Sequence, residues 1–176
     1  MNKKNVWIST IIITLSFATL AIAADKKPLS PPAKAEASIS GKNITIDYSS
    51  PRMRDRAIMG GLVPYNKVWR TGANAATTLK TDADLMIGSI HVPAGEYTIF
   101  TVPGETEWTL IVSKETGQWG TNYDESKDLG RATMTVGATD SPLEEFTIEL
   151  NSTTGNKGEL VIKWERTVAS IGLMVH

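Results

Sequence analysis

The chain contains no cysteine and only two histidines, His91 and His176. Disulfides, thiol catalysis and zinc–thiolate sites are therefore excluded, and the domain must be stable on packing alone. A multi-histidine metal centre is excluded unless carboxylates complete it, and a Ser-His-Asp arrangement has only those two rings to build on. A sustained helical period is missing as well, and the formal charge is only −1. So weak a balance gives no electrostatic reason to expect nucleic acid or an anionic membrane surface as a partner.

The first thing the chain does have is an address. Lys3 and Lys4 precede an apolar run from Val6 to Leu20, and Ala21-Ile22-Ala23 follows with the small residues a signal peptidase needs. The run is short, and Asp25, Lys26 and Lys27 end it abruptly, which suits a cleaved leader better than a permanent span. The expectation is a signal peptide over residues 1–23, export to the periplasm or the medium, and no membrane insertion after cleavage. Without a cysteine behind the run there is no lipid anchor. Cleavage removes two lysines and no acid, which takes the formal charge from −1 to −3 and leaves 153 residues. A domain of that size can bury roughly 70% of its unfolded surface. The charged, Pro-rich stretch 24–34, ADKKPLSPPAK, reads as an extended tether.

From residue 35 to 176 the pattern is one of short β runs separated by turn residues. Ala35 to Ile39 and Asn43 to Tyr48 flank Ser40-Gly41-Lys42, with Ile44, Ile46 and Tyr48 alternating against Thr45 and Asp47. Gly88-Ser89 is a two-residue turn between Leu85–Ile87 and Ile90–Val92. Glu96 to Val102 is apolar on both faces and belongs in the middle of a sheet. Trp108–Ser113, Arg131–Val136, Phe146–Leu150, Glu159–Trp164 and Thr167–Val175 complete the series. The fold class is all-β: a single antiparallel β-sandwich of jelly-roll type, with about ten short strands.

Two segments break the rhythm, and long irregular connections in a compact β domain usually bind or cover something. Ser49 to Thr78 holds four of the six arginines, together with Tyr65, Trp69 and an Arg-Thr-Gly-Ala-Asn turn. Lys114 to Asp128 carries Trp119 and Tyr123. The two are expected to meet on one side of the sandwich, because the first is rich in arginine and the second offers Asp124, Glu125 and Asp128. The candidate ligand-binding residues are Arg52, Tyr65, Trp69, Arg70, Thr71, Asn74, Trp119, Tyr123 and Asp124.

Each candidate has a plainer reading beside it. Arg70 can present a rigid fork of donors to a carboxylate or phosphate, flanked by Thr71 and Asn74, or it can pair internally with Asp124 or Asp55. Arg52, Arg54 and Arg56 form either a basic stripe or a solvated loop with surface ion pairs. Trp108 and Trp164 read as core, whereas Trp69 and Trp119 could equally stack on a sugar or an apolar ligand. The acidic groups at Asp82 and Asp84, at Glu105 and Glu107, and at Asp124, Glu125 and Asp128 fit no calcium loop, and turn carboxylates are usually solvated.

Three blocks carry a resemblance: SSPRMRDRAIMGGLVPYNKVWRTGANAATTL over Ser49–Leu79, PAGEYTIFTVPGETEWTLIVSK over Pro93–Lys114 and QWGTNYDESKD over Gln118–Asp128. In order and spacing they resemble the bacterial domain-of-unknown-function family 2911. The resemblance implies an exported β domain and no assigned chemistry. Where that family often reads Asn-Glu-Ala, this chain has Asn74-Ala75-Ala76, which weakens any role for an acid there.

The functional expectation is a non-catalytic binding or interaction domain, with a small molecule or a glycan as partner, no cofactor and no metal. The alternative is a hydrolase or related enzyme on sugar-like or acidic substrates that uses Arg70 with a loop carboxylate. A third reading is a purely structural envelope module.

Overall fold

The computed structural model describes residues 28–176, so the expected leader and the first four residues of the tether lie outside the described residues. The strands are β1 (Pro32–Ile39), β2 (Lys42–Ser49), β3 (Thr77–Thr81), β4 (Leu85–Ile87), β5 (Ile90–Val92), β6 (Gly95–Val102), β7 (Glu107–Ser113), β8 (Asp128–Ser152) and β9 (Lys157–Val175). They form one antiparallel sheet in the order β1-β2-β3-β6-β7-β8-β9-β4-β5. The all-β antiparallel class is as the sequence predicts. Among the described residues the only helical element is a 3-10 turn at Glu125–Lys127, and no helix is long and apolar enough to cross a membrane.

Local chemistry accounts for the hairpins. Ser40 and Gly41 both take left-handed backbone angles, φ 51° and 76°, as a type I′ turn requires, so Ile39 pairs with Lys42. This register puts Ile44 and Ile46 into the core. β6 lies between β3 and β7 and buries Thr98, Ile99, Phe100 and Thr101 in succession, which is the two-faced burial its composition demands.

The C-terminal half departs from expectation. Runs that read as four separate strands are two long ones, β8 with 25 residues and β9 with 19. The Gly-Ala-Thr-Asp-Ser-Pro stretch at 137–142 looks like a turn but is a place where the ladder slips: the register shifts between Ala138 and Leu143 and again between Leu143 and Thr147. On the facing strand Glu165 is left-handed, with φ 54°. Such bulges bend a strand without ending it.

The bend makes the layers. The first part of β8 pairs with β7, and the second part comes back against the beginning of the domain. There the Phe146 amide donates to the Pro51 carbonyl at 2.9 Å, the Ser50 hydroxyl donates to the Phe146 carbonyl at 2.7 Å, and the Ile148 amide donates to the Tyr48 hydroxyl at 3.1 Å. One continuous sheet, folded over, encloses the main core. A smaller cluster of Ala76, Phe100 and Ile111 lies apart from it, covered by Val102 and Tyr123.

β1 starts at Pro32, three residues before the expected start of the domain at Ala35. Proline is tolerated there because β1 is an edge strand of the sheet. The preceding residues are fixed too, since the Ser50 amide donates to the Pro31 carbonyl at 2.8 Å.

Phe146 has no exposed surface, and its ring meets Tyr48, Trp69 and Trp164 edge to face at 5.1 to 5.7 Å. Phe146→Ala should therefore cost about 3–5 kcal/mol, read as a lower urea midpoint at unchanged slope. A shift equivalent to less than about 1 kcal/mol would mean that this contact does not join the layers.

Candidate functional site

The two irregular segments do meet, and backbone rather than charge joins them. Ala75 and Trp119 form an antiparallel bridge, the Ala76 amide donates to the Gln118 carbonyl at 3.3 Å, and the Gly120 amide donates to the Asn74 carbonyl at 3.1 Å. The acids of the second segment are engaged elsewhere. Asp124 accepts from the Ser126 amide at 2.9 Å, and hydrogen bonding from Ser126 holds its carboxyl below the ordinary value. Glu125 and Asp128 both pair with Arg131 on β8, at 2.9 and 2.8 Å. Arg131 also donates to the Tyr123 hydroxyl at 2.6 Å, and that hydroxyl donates to Asp128. Burial and the Asp128 hydrogen bond push the Tyr123 phenol up to about 12, so it stays protonated at neutral pH.

Arg70 stands where the segments cross. The residue before it is pinned: Trp69 exchanges backbone hydrogen bonds with Thr101 of β6 at 2.7 and 2.9 Å. Its indole stacks on Trp164 at 6.0 Å and 16° and meets Trp108 and Phe146 edge to face. The residue after Arg70 is pinned as well. Thr71 is fully buried with its backbone left-handed at φ 53°, an outlier for a β-branched residue. Its hydroxyl lies 3.1 Å from that of Thr101, and its carbonyl accepts from the Thr77 hydroxyl at 2.8 Å. Strain of this kind costs on the order of 1–3 kcal/mol and persists only where the surroundings over-determine it.

Between these two anchors the Arg70 side chain is half-buried. It makes no ion pair and no hydrogen bond among the described residues, so the expected internal partners Asp124 and Asp55 do not hold it. Its side chain divides two clefts. One, of about 310 Å³, is lined by Val68, Trp69, Arg70, Gly120, Thr121 and Tyr123. The other, of about 220 Å³, has Arg56 and Arg70 on its walls together with Leu62, Val63, Trp69 and Trp164. Neither cleft is lined by an aspartate or a glutamate.

The remaining candidates divide between these clefts and structural positions. Trp69 is part of the aromatic core, although it forms part of both cleft walls. Arg52 pairs with Glu145 at the join between the layers. The Tyr65 ring lies over Gly60 and lines neither cleft. Asn74 binds Gly120 through its carbonyl and reaches the Ser30 carbonyl with its side-chain amide at 3.4 Å. Trp119 is 54% exposed beside Gly120, and Asp124 faces neither cleft.

Sequence reasoning did not single out Leu62, Val68, Gly120 or Thr121. Leu62 and Val68 could be noticed only by their exposure, which together with that of Leu29 and Trp119 accounts for the exposed large hydrophobic residues among those described. Gly120 is required by close approach: a Cβ there would come within 2.5 Å of Arg70 Cδ and 2.6 Å of the Asn74 carbonyl oxygen. Because the latter is backbone, Gly120→Ala should push the segments apart and cost about 1–3 kcal/mol. The measurement is the chemical denaturation midpoint, together with the amide exchange rate of residue 120; unchanged protection would mean that the segments do not depend on this contact.

Neither a curated protein nor a solved structure matches the chain. A family model does match, over residues 30–173, and those residues include both irregular segments, the turn that carries Arg70 and the folded-over β8–β9 pair. The chain belongs to the family described as Protein of unknown function (DUF2911).

Proposed function

We propose that the chain is an exported, non-catalytic binding domain whose ligand, a small molecule or a glycan, occupies the clefts on either side of Arg70. The observation that carries this reading is Arg70 itself, a partly buried residue held between two fixed neighbours, with no ion pair and no hydrogen bond from its side chain among the described residues. Its donors are open to an acceptor supplied by a ligand, and a charge-assisted hydrogen bond from an arginine fork is among the stronger contacts a site can make. The exposed Leu62 and Val68 on the cleft walls add apolar surface of the sort that binding sites use, and Trp119, which lines neither cleft, is exposed beside Gly120.

The hydrolase alternative asks for a carboxylate beside Arg70, and the cleft linings supply none. His91, the one exposed residue of β5, lies 3.4 Å from Asp84, and no three acidic or histidine side chains converge among the described residues.

In a metabolite and glycan binding screen on the exported protein, Arg70→Ala should abolish binding of any ligand found, and Trp119→Ala should weaken it. Both variants should melt within about 2 °C of the parent, because neither side chain closes a buried pair. A melting temperature lower by several degrees, with ligand binding intact, would make the contact structural. Export is tested separately: protein recovered from the periplasm or medium should begin at Ala24, and a Met1 terminus would remove that part of the reading.

A further inference from the structure

The smaller cleft differs from the larger one in having two guanidinium groups on its walls. Arg56 is oriented by its own loop: Nε donates to the Met53 carbonyl at 2.9 Å and Nη2 donates to the Arg52 carbonyl at 2.7 Å. An arginine has five N–H donors in a fixed fork, so the remaining three are pre-positioned and have no acceptor among the described residues. Arg70 faces the same space with its donors uncommitted among the described residues. The contrast with the other arginines of the region is direct, since Arg52 has Glu145 and Arg131 has Glu125 and Asp128. Two like charges on the walls of one cleft of about 220 Å³ repel each other, and no carboxylate lines the space to relieve them.

We propose that this cleft binds a small organic oxyanion, with its carboxylate or phosphate-ester head between Arg56 and Arg70 and a short apolar body against Leu62, Val63 and Trp164. The inference rests on the reading of Arg70 as the centre of the ligand site and adds the chemical class of the ligand. Charge-assisted hydrogen bonds from paired arginine forks are the strongest recognition such a head can receive, and their planar geometry suits both heads. The apolar walls distinguish the organic anion from the inorganic one. Ser30, Gly72 and Ala73 complete the lining, so the cleft has a polar and an apolar side; a free phosphate ion leaves the side made by Pro51, Leu62 and Val63 without a partner, whereas an ester or carboxylate turns its carbon end to it. Size sets a further limit. At about 220 Å³ the cleft has room for a single ring or a short chain between its walls.

The unsubstituted protein serves for the first part of the test. Benzoate and phenyl phosphate are titrated against benzamide, which has the same ring and no charge, and against inorganic phosphate. Binding is followed by calorimetry and by the indole N–H resonances of Trp69 and Trp164, which line the cleft. The two organic anions should bind at least about tenfold more tightly than benzamide, and inorganic phosphate should bind more weakly than phenyl phosphate. Affinity should fall as ionic strength rises from about 0.05 to about 0.5 M. Arg56→Gln and Arg70→Gln should each lose about tenfold or more. Equal binding of benzoate and benzamide, failure of both organic anions to bind, or indifference to Arg56→Gln would overturn the proposal. A screened ligand that is lost on Arg70→Ala but insensitive to Arg56→Gln would overturn this inference alone and leave the Arg70 site standing. A ligand insensitive to both changes would remove the two together.

Discussion

The packing of Trp69 is the interaction on which the rest of the site depends. Its backbone pairs with Thr101 in the middle of the sheet, while its indole lies against Trp164 and Phe146 from the folded-over half. A single residue thus ties the long first irregular segment to both layers. Burying an indole of this size favours the folded state by a few kcal/mol. That gain opposes the entropy of ordering a segment with few ladder hydrogen bonds of its own. The same segment is pinned a second time where Ile58 and Val63 enter the core and the Ile58 and Met59 amides donate to Glu165. Glu165 is itself the left-handed residue at the bend of β9. The bulge that folds the sheet over therefore also supplies the carboxylate that holds the loop.

Given those anchors, the conformation around Arg70 follows. With Trp69 fixed on one side and Thr77 at the start of β3 on the other, the intervening chain is too short to relax, and Thr71 and Asn74 take left-handed angles. Thr71 is held there by the Thr101 and Thr77 hydroxyls in a dry environment where each hydrogen bond counts for more than in water. Strain at a buried β-branched residue and a cation without a partner are both unfavourable, and they occur at adjacent positions.

Much of the fold was legible because its signals are local. Ser40-Gly41 and Gly88-Ser89 set two hairpins through backbone angles that few residue types reach, and the two-faced apolar run of β6 announced its central place. The fusion of strands into β8 and β9 was not legible. Asp140-Ser141-Pro142 carries turn chemistry, and only the facing strand, more than twenty residues away in sequence, decides that the ladder bends there instead of ending. At the site, the sequence identified the two segments and Arg70 correctly as neighbours but for a different reason. It suggested attraction between arginines and acids, whereas the acids turn toward Arg131 and the contact is made by backbone at Ala75, Trp119 and Gly120. Trp69 and Trp119, indistinguishable by residue type and segment, ended on opposite sides of the surface, one in the aromatic core and one 54% exposed.

The arginines show why composition could not settle their roles. Five of the six have partners that the fold brings to them: Arg52 and Arg131 meet carboxylates, and Arg54, Arg56 and Arg166 donate to carbonyls. For an exposed side chain such contacts add little stability, and their effect is to aim the guanidinium. Arg56 is aimed into the same cleft that Arg70 borders, so the loop stripe and the turn, which are separate features along the chain, become one cationic feature in space. The net charge of −1 for the whole chain conceals it. A local field is set by which charges are left without partners and where, and here Glu125, Asp128 and Glu145 pair with Arg131 and Arg52 while Arg70 itself is not neutralised among the described residues.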